Sequence, residues 1–169
     1  SDHKGFVALK QDGSVVAWGE QNGTKYATVA SQLSSGVSKI YTGDSSFAAL
    51  KDNGSVITWG YSVTGGDSSE VASKLSSGVV KILSGDWFMA ALKANGELIV
   101  WGDVDQSDLS VSLRTGVKNI ASTASFAVAL KEDGSIVTWP RKGTSDPYPH
   151  HIPANTLGKV KAVYDSHQG

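Results

Sequence analysis

Few residues in this 169-residue chain are of the types and spacings that chemistry requires. His150 and His151, with Asp146 nearby, are ligand types for a transition metal. However, adjacent side chains diverge and the pair lies in a proline-rich stretch, so a solvated loop is the expected state. Gly65-Gly66-Asp67-Ser68-Ser69 has the glycine content of a phosphate cradle but lacks the lysine and following helix that such cradles use, and it reads as a turn. Serine, histidine and aspartate all occur, yet no serine sits at a strand-to-helix elbow and no two carboxylates recur at a defined spacing. With 24 serines, chance triads are common. The chain is therefore expected to be a non-enzyme with no catalytic set, no metal and no cofactor. The remaining chemistry is that of recognition: Trp87 and Phe88, an adjacent aromatic pair of the kind that anchors protein interfaces or stacks on sugar rings.

The elements that must position that pair follow from internal self-similarity. Trp18, Trp59, Trp101 and Trp139 recur at spacings of 41, 42 and 38 residues, each closing a β-branched run. Each run follows an Asp-Gly or Asn-Gly pair (Asp12-Gly13, Asn53-Gly54, Asn95-Gly96, Asp133-Gly134), and these dipeptides accept the positive φ of a tight hairpin turn. Before each turn lies an apolar run holding Leu9, Leu50, Leu92 or Leu130. Further upstream another short apolar strand begins near Val37, Val79, Val117 or Val160. Three strands per unit of about 40 residues, with one tryptophan each, predict an all-β propeller of about four short blades rather than helical repeats. Val29/Leu33 and Val71/Leu75, at i,i+4 spacing, leave room for a single helical turn or a packed irregular segment between units.

The units run approximately over 36–77, 78–115 and 116–157, and the fourth is composite, joining 158–169 to 1–35 within a single domain spanning 1–169. Joining the N-terminal hairpin to the C-terminal strand would hide the sheet edges. Closure within one monomer is the expected form. The alternatives are an eight-bladed ring shared by two chains and a piece of a larger propeller.

In-phase residues are scaffold: the four tryptophans are expected to fill the gaps between sheets. Trp87 and Phe88 break the phase, occupying the slots of Ser45 and Ser46 in the preceding unit. Strand polarity places the loops 43–46, 85–88 and 122–125 on the same face as the segments that follow each third-strand tryptophan. That face is expected to present Trp87, Phe88, Tyr61, Asp103, Asp105 and Tyr148 as the binding site, with His3 and His167 near the chain closure.

Composition narrows the partners. Fifteen Lys+Arg against sixteen Asp+Glu leave a net charge of −1, and no basic block appears, so a nucleic-acid partner lacks electrostatic support. Apolar runs of only a few residues exclude a membrane-inserted helix. The opening Ser1-Asp2-His3-Lys4 lacks the apolar core of a signal peptide, which suits a mature or excised segment. Charged residues are 18%, and 24 Ser with 10 Thr make the surface hydroxyl-rich rather than ionic. The absence of cysteine removes thiol chemistry and disulfides without fixing a compartment.

The run Ser35-Gly36-Val37, Ile40, Gly43, Ala49-Leu50-Lys51, Asn53-Gly54, Val56 and Trp59-Gly60 returns with small changes over 77–102. It resembles the regulator-of-chromosome-condensation repeat, in a compact form similar to blades of bacterial β-lactamase-inhibitory and surface proteins. The resemblance covers nearly the whole chain, although Pro140 replaces the glycine after Trp139 and known relatives have seven blades. It implies a propeller and a protein partner. In the inhibitor relatives, the loop matching 85–88 carries aromatics that meet the target. The function expected is a non-catalytic protein-binding module of a bacterial secreted or surface protein, of adhesin or inhibitor type, with a lectin-like carbohydrate-binding module as the alternative.

Overall fold

In the computed structural model, which describes residues 5–19, 22–104, 113–122, 126–140 and 160–164, eleven strands are distributed over four antiparallel sheets. The first sheet pairs β1 (Phe6–Leu9) with β2 (Val15–Trp18). Three-stranded sheets follow: β3 (Val37–Thr42), β4 (Ser46–Lys51) and β5 (Val56–Gly60); then β6 (Val79–Ser84), β7 (Phe88–Lys93) and β8 (Leu98–Gly102); then β9 (Val117–Ser122), β10 (Phe126–Lys131) and β11 (Ile136–Pro140). This is the all-β propeller architecture of four short blades that the repeat implies. Among the described residues the connections carry one six-residue helix, α1 (Asn22–Ala27), and single 3₁₀ turns at Ala30–Leu33, Ser62–Thr64, Ser69–Val71 and Lys74–Ser76. No described helix is long and apolar enough to cross a membrane.

Strand alternation divides every sheet into two apolar faces. In the second sheet Ala48, Leu50 and Val56 face forward onto Met89, Ala91 and Trp101 of the third, whereas Phe47, Ala49 and Trp59 face back onto Val15 and Leu33. The third sheet repeats this, with Ala90, Leu92 and Leu98 against Ala127, Ala129 and Trp139. Each of these tryptophans therefore fills the gap behind its own sheet. At ~150–250 Å² per aromatic and ~25 cal/mol per Å², each burial contributes about 4–6 kcal/mol at most. Leu33, Leu75 and Leu113, all 2% exposed or less, seal the gaps from the connecting segments.

Hairpin turns lock successive sheets at a constant offset. The carbonyls of Gly13, Gly54 and Gly96 accept hydrogen bonds from the N–H groups of Val37, Val79 and Val117, each the first residue of the next sheet. Gly54 shows why glycine is needed there: its φ is +76°, and a Cβ would lie 2.7 Å from the Gly78 nitrogen.

One expectation changes. Trp18 is 51% exposed and Phe6 65%, because among the described residues nothing packs on the back of the first sheet as the first sheet packs on Trp59. Nor do the described strand pairings include a ladder joining 160–164 to β1. The Asn119 side-chain amide donates a hydrogen bond to the Val163 carbonyl of that segment, at 3.4 Å.

Candidate functional site

The variable-loop face is built from short turns that the sheets hold from both sides. The turn between β3 and β4 is closed by Gly43 N–H donating to the Ser46 carbonyl at 2.8 Å. The matching turn before β7 is closed by Gly85 N–H and the Phe88 carbonyl at 2.9 Å. Each turn is then tied to the segment leaving the third strand. Tyr61 N–H donates to the Ser45 carbonyl, and Asp103 N–H to the Trp87 carbonyl, both at 2.8 Å. Tyr61 and Asp103 thus occupy equivalent places, one beside Ser45 and the other beside Trp87.

Of the residues expected at the site, the structure brings three together on this face. Tyr61 is 53% exposed, and Trp87 and Asp103 are half-buried. Phe88 is a correction: it is only 2% exposed and its ring meets Trp139 edge-on, with centroids 6.0 Å apart. The reason is strand parity. Phe88 opens β7 and alternates with Ala90 and Leu92, so its side chain points forward into the gap before β9–β11. Ser46 holds the same slot one sheet earlier, where its hydroxyl donates to the Thr64 carbonyl at 2.7 Å. Asp105 and Tyr148 lie outside the described residues, as do His3, His167 and the Asp146, His150, His151 group.

The segment 61–69 explains itself structurally. Gly66 has room for no side chain, since a Cβ would lie 2.4 Å from the Gly60 carbonyl carbon, and the Gly65 carbonyl accepts a 2.8 Å hydrogen bond from Trp101 Nε1. The glycines therefore seat a scaffold tryptophan. Asp67 caps its own turn: the Ser69 N–H, then the Ser69 hydroxyl, hold its carboxyl below the usual carboxylate range.

Sequence reasoning missed the acids at the mouth of the groove between β3 and β6. Asp44 and Asp86 are exposed at matching positions of their turns, above a cavity of about 450 Å³ that Tyr41, Lys81, Ser84 and Ser122 also line. Lys81 Nζ donates to Asn119 Oδ1 at 2.8 Å and to the Ile120 carbonyl at 3.0 Å, spanning two sheets. Lys39 Nζ stands 5.0 Å from the Tyr41 ring centroid. The lysines are thus engaged by the wall, while the carboxylates stay at the rim. The signal was present, because Gly-Asp recurs at 43–44 and 85–86, but attention to phase-breaking residues passes over a repeated one.

A second cavity, of about 560 Å³, lies at the outer rim among Lys25, Gln32, Thr58, Trp59, Asp67 and Ser68. Thr58 and Ser68 share a 2.8 Å hydroxyl contact there. Trp59 Nε1 and Trp139 Nε1 are buried without a hydrogen-bond acceptor among the described residues.

Repeated three-stranded sheets locked turn to strand, with tryptophans between them, define a β-propeller. Its solved neighbours share that fold and include yeast RCC1. The fold matches the ectodomain of the Arabidopsis thaliana receptor kinase ACR4, with TM-score 0.50 and 18% identity over 83% of this chain and 51% of that one. It matches Prp20p of Saccharomyces cerevisiae, described with its binding to Gsp1p and histones, with TM-score 0.51 and 17% identity over 80% and 43%. Yeast RCC1 (Prp20) bound to Kap60 matches with TM-score 0.51 and 18% identity over 87% and 43%. This chain thus spans about half or less of the length of these structures. No family model and no curated protein matches it.

Proposed function

We propose that this chain is a non-catalytic protein-binding module whose contact surface is the variable-loop face. The observation that carries the reading is Tyr61, an amphipathic aromatic 53% exposed on a turn whose backbone is pinned to Ser45, with Trp87 and Asp103 pinned in the equivalent place. Aromatics on rigid backbone bring large contact area at small entropic cost, which is the character of interface anchors. The rim carboxylates Asp44 and Asp86 add negative potential and favour a basic patch on the partner. RCC1-like neighbours described with Gsp1p, histones and Kap60 support a protein partner. The sequence resemblance supports the finer setting, a bacterial secreted or surface protein of adhesin or inhibitor type.

The test is affinity capture on the immobilised chain, followed by calorimetric titration of the purified captured protein. Tyr61→Ala and Trp87→Ala should each weaken binding by about 2 kcal/mol, roughly 30-fold in Kd. Unchanged affinity in the double variant would move the contact off this face. Parallel binding to a glycan array, lost in Tyr61→Ala, would replace the protein partner with a carbohydrate.

A further inference from the structure

The back face of the first sheet carries the full receiving surface of an interior sheet and, among the described residues, lacks its cover. Phe6 and Trp18 pair across β1 and β2 as Phe47 and Trp59 pair across β4 and β5. Their rings stack at 5.7 Å, against 5.3 Å for the inner pair. Yet Phe6, Val16 and Trp18 are 65%, 41% and 51% exposed, whereas Phe47 and Trp59 are 6% and 2%. In every interior gap the cover is the forward face of the preceding sheet, so the chemistry that fits this surface is another sheet of the same kind.

The far end of the molecule offers one. Residues 160–164 lie beside β9 as β9 lies beside β6: the Asn119 amide reaches the Val163 carbonyl just as Lys81 reaches the Ile120 carbonyl. The phase agrees, since Val160 and Val163 repeat Val37 and Ile40, Val79 and Ile82, and Val117 and Ile120. Val160 and Val163 are half-buried with Lys161 and Ala162 exposed between them, as Ser38 and Lys39 are exposed between Val37 and Ile40. The segment therefore stands where the first strand of a following sheet belongs, next to the sheet whose forward face would cover that sheet's tryptophan.

We propose that a second copy of this chain fills this place head to tail. Residues 160–164 of one copy add the third strand to β1 of the other, and sheet β9–β11 covers Phe6, Val16 and Trp18. The register follows from the three complete sheets, where Val37, Lys39, Ile40 and Tyr41 oppose Lys51, Leu50, Ala49 and Ala48. The same pattern recurs where Val79 and Ile82 oppose Lys93 and Ala91, and Val117 and Ile120 oppose Lys131 and Ala129. Transferred, it sets Val160 opposite Lys10, Ala162 opposite Leu9, Val163 opposite Ala8 and Tyr164 opposite Val7. The count suits a second copy, since 83% and 87% of this chain cover only 51% and 43% of two larger propellers of the same fold. Two such arcs complete one ring, a head-to-tail contact whose rotation closes.

The chain has no cysteine, so introduced thiols report only their own pairing. Ala8→Cys and Val163→Cys, made separately and mixed under mild oxidation, should form a covalent pair of twice the chain mass on a non-reducing gel. Directly opposed residues, with Cβ atoms ~4.5–5.5 Å apart, come close enough for a disulfide after slight adjustment. Lys10→Cys mixed with Val163→Cys is the off-register control and should cross-link far more slowly. The unmodified chain should show about twice 17.7 kDa by light scattering. A 17.7 kDa species at all concentrations overturns the proposal, as does a disulfide formed within one chain carrying both cysteines. So does a dimer whose cross-linking is no faster than the control.

Discussion

Two adjacent aromatics with one expectation attached stand in different surroundings, Phe88 buried and Trp87 half-buried at a turn. Phe88 belongs to the core, so Phe88→Ala should cost about 3–5 kcal/mol and lower Tm, measured by thermal unfolding. Tyr61→Ala, at an exposed turn, should stay within about 0.5 kcal/mol of the parent in stability while weakening binding by the proposed factor of roughly 30. The parity that separates Phe88 from Trp87 was readable, because Phe88 stands two residues from Ala90 and four from Leu92. It was obscured by reading both residues as departures from the repeat rather than as successive strand positions. Asp67 makes a separate prediction at this scale. Its carboxyl is held low first by the Ser69 N–H and then by the Ser69 hydroxyl. Ser69→Ala removes only the second, so a carboxyl NMR titration should show the pKa rising part of the way while staying below the ordinary value of ~3.9. Because the folded pKa is the lower one, the associated stability is present above the unfolded pKa and is lost as pH falls through the folded value.

The unit of construction at the next scale is a three-stranded sheet and the turn that locks it to its successor. The Asp-Gly and Asn-Gly turns were legible as hairpins, but their second role was not: the same glycine carbonyl receives the first N–H of the next sheet. That role depends on where the next sheet sits, which no dipeptide encodes. Gly54→Ala therefore meets both a φ of +76° and a Cβ 2.7 Å from the Gly78 nitrogen, whereas Gly36→Ala meets φ +70° with its nearest contact at 3.6 Å, to a flexible lysine stem. Urea unfolding should show Gly36→Ala costing about 1 kcal/mol and Gly54→Ala clearly more, up to about 3 kcal/mol. The connecting segments, open at the sequence level between a helical turn and irregular packing, are α1 and short 3₁₀ turns. Their leucines are fixed by the gap they seal rather than by helical propensity.

Across the whole molecule, support is uneven. The sheets β3–β5 and β6–β8 are packed on both faces, and β1–β2 on one. At dilution, native-state hydrogen exchange should find the amides of β4 and β7 opening near the global unfolding free energy and those of β1 well below it. Uniform protection would mean that the first sheet is as firmly held as the rest. The same unevenness bears on where function can reside: among the described residues the faces between interior sheets are committed to packing, whereas the loop face and the back of β1–β2 are open.

The amino-acid sequence by itself determined the repeat, its three strands and hairpin turns, and the tryptophan phase, because these rest on local turn chemistry and on alternation within single strands. It also placed Tyr61, Trp87 and Asp103 at one end of their sheets, because strand polarity alone decides which loops share an end. Tertiary structure decided what lies behind each side chain: that Phe88 is covered by Trp139, that Asp44 and Asp86 rim one cavity, that Trp101 is held by the Gly65 carbonyl, and that Trp18 is exposed. The physical reason is that burial belongs to the gap between two sheets. A residue's type and period can mark it for such a gap, but only the placement of the second sheet creates one.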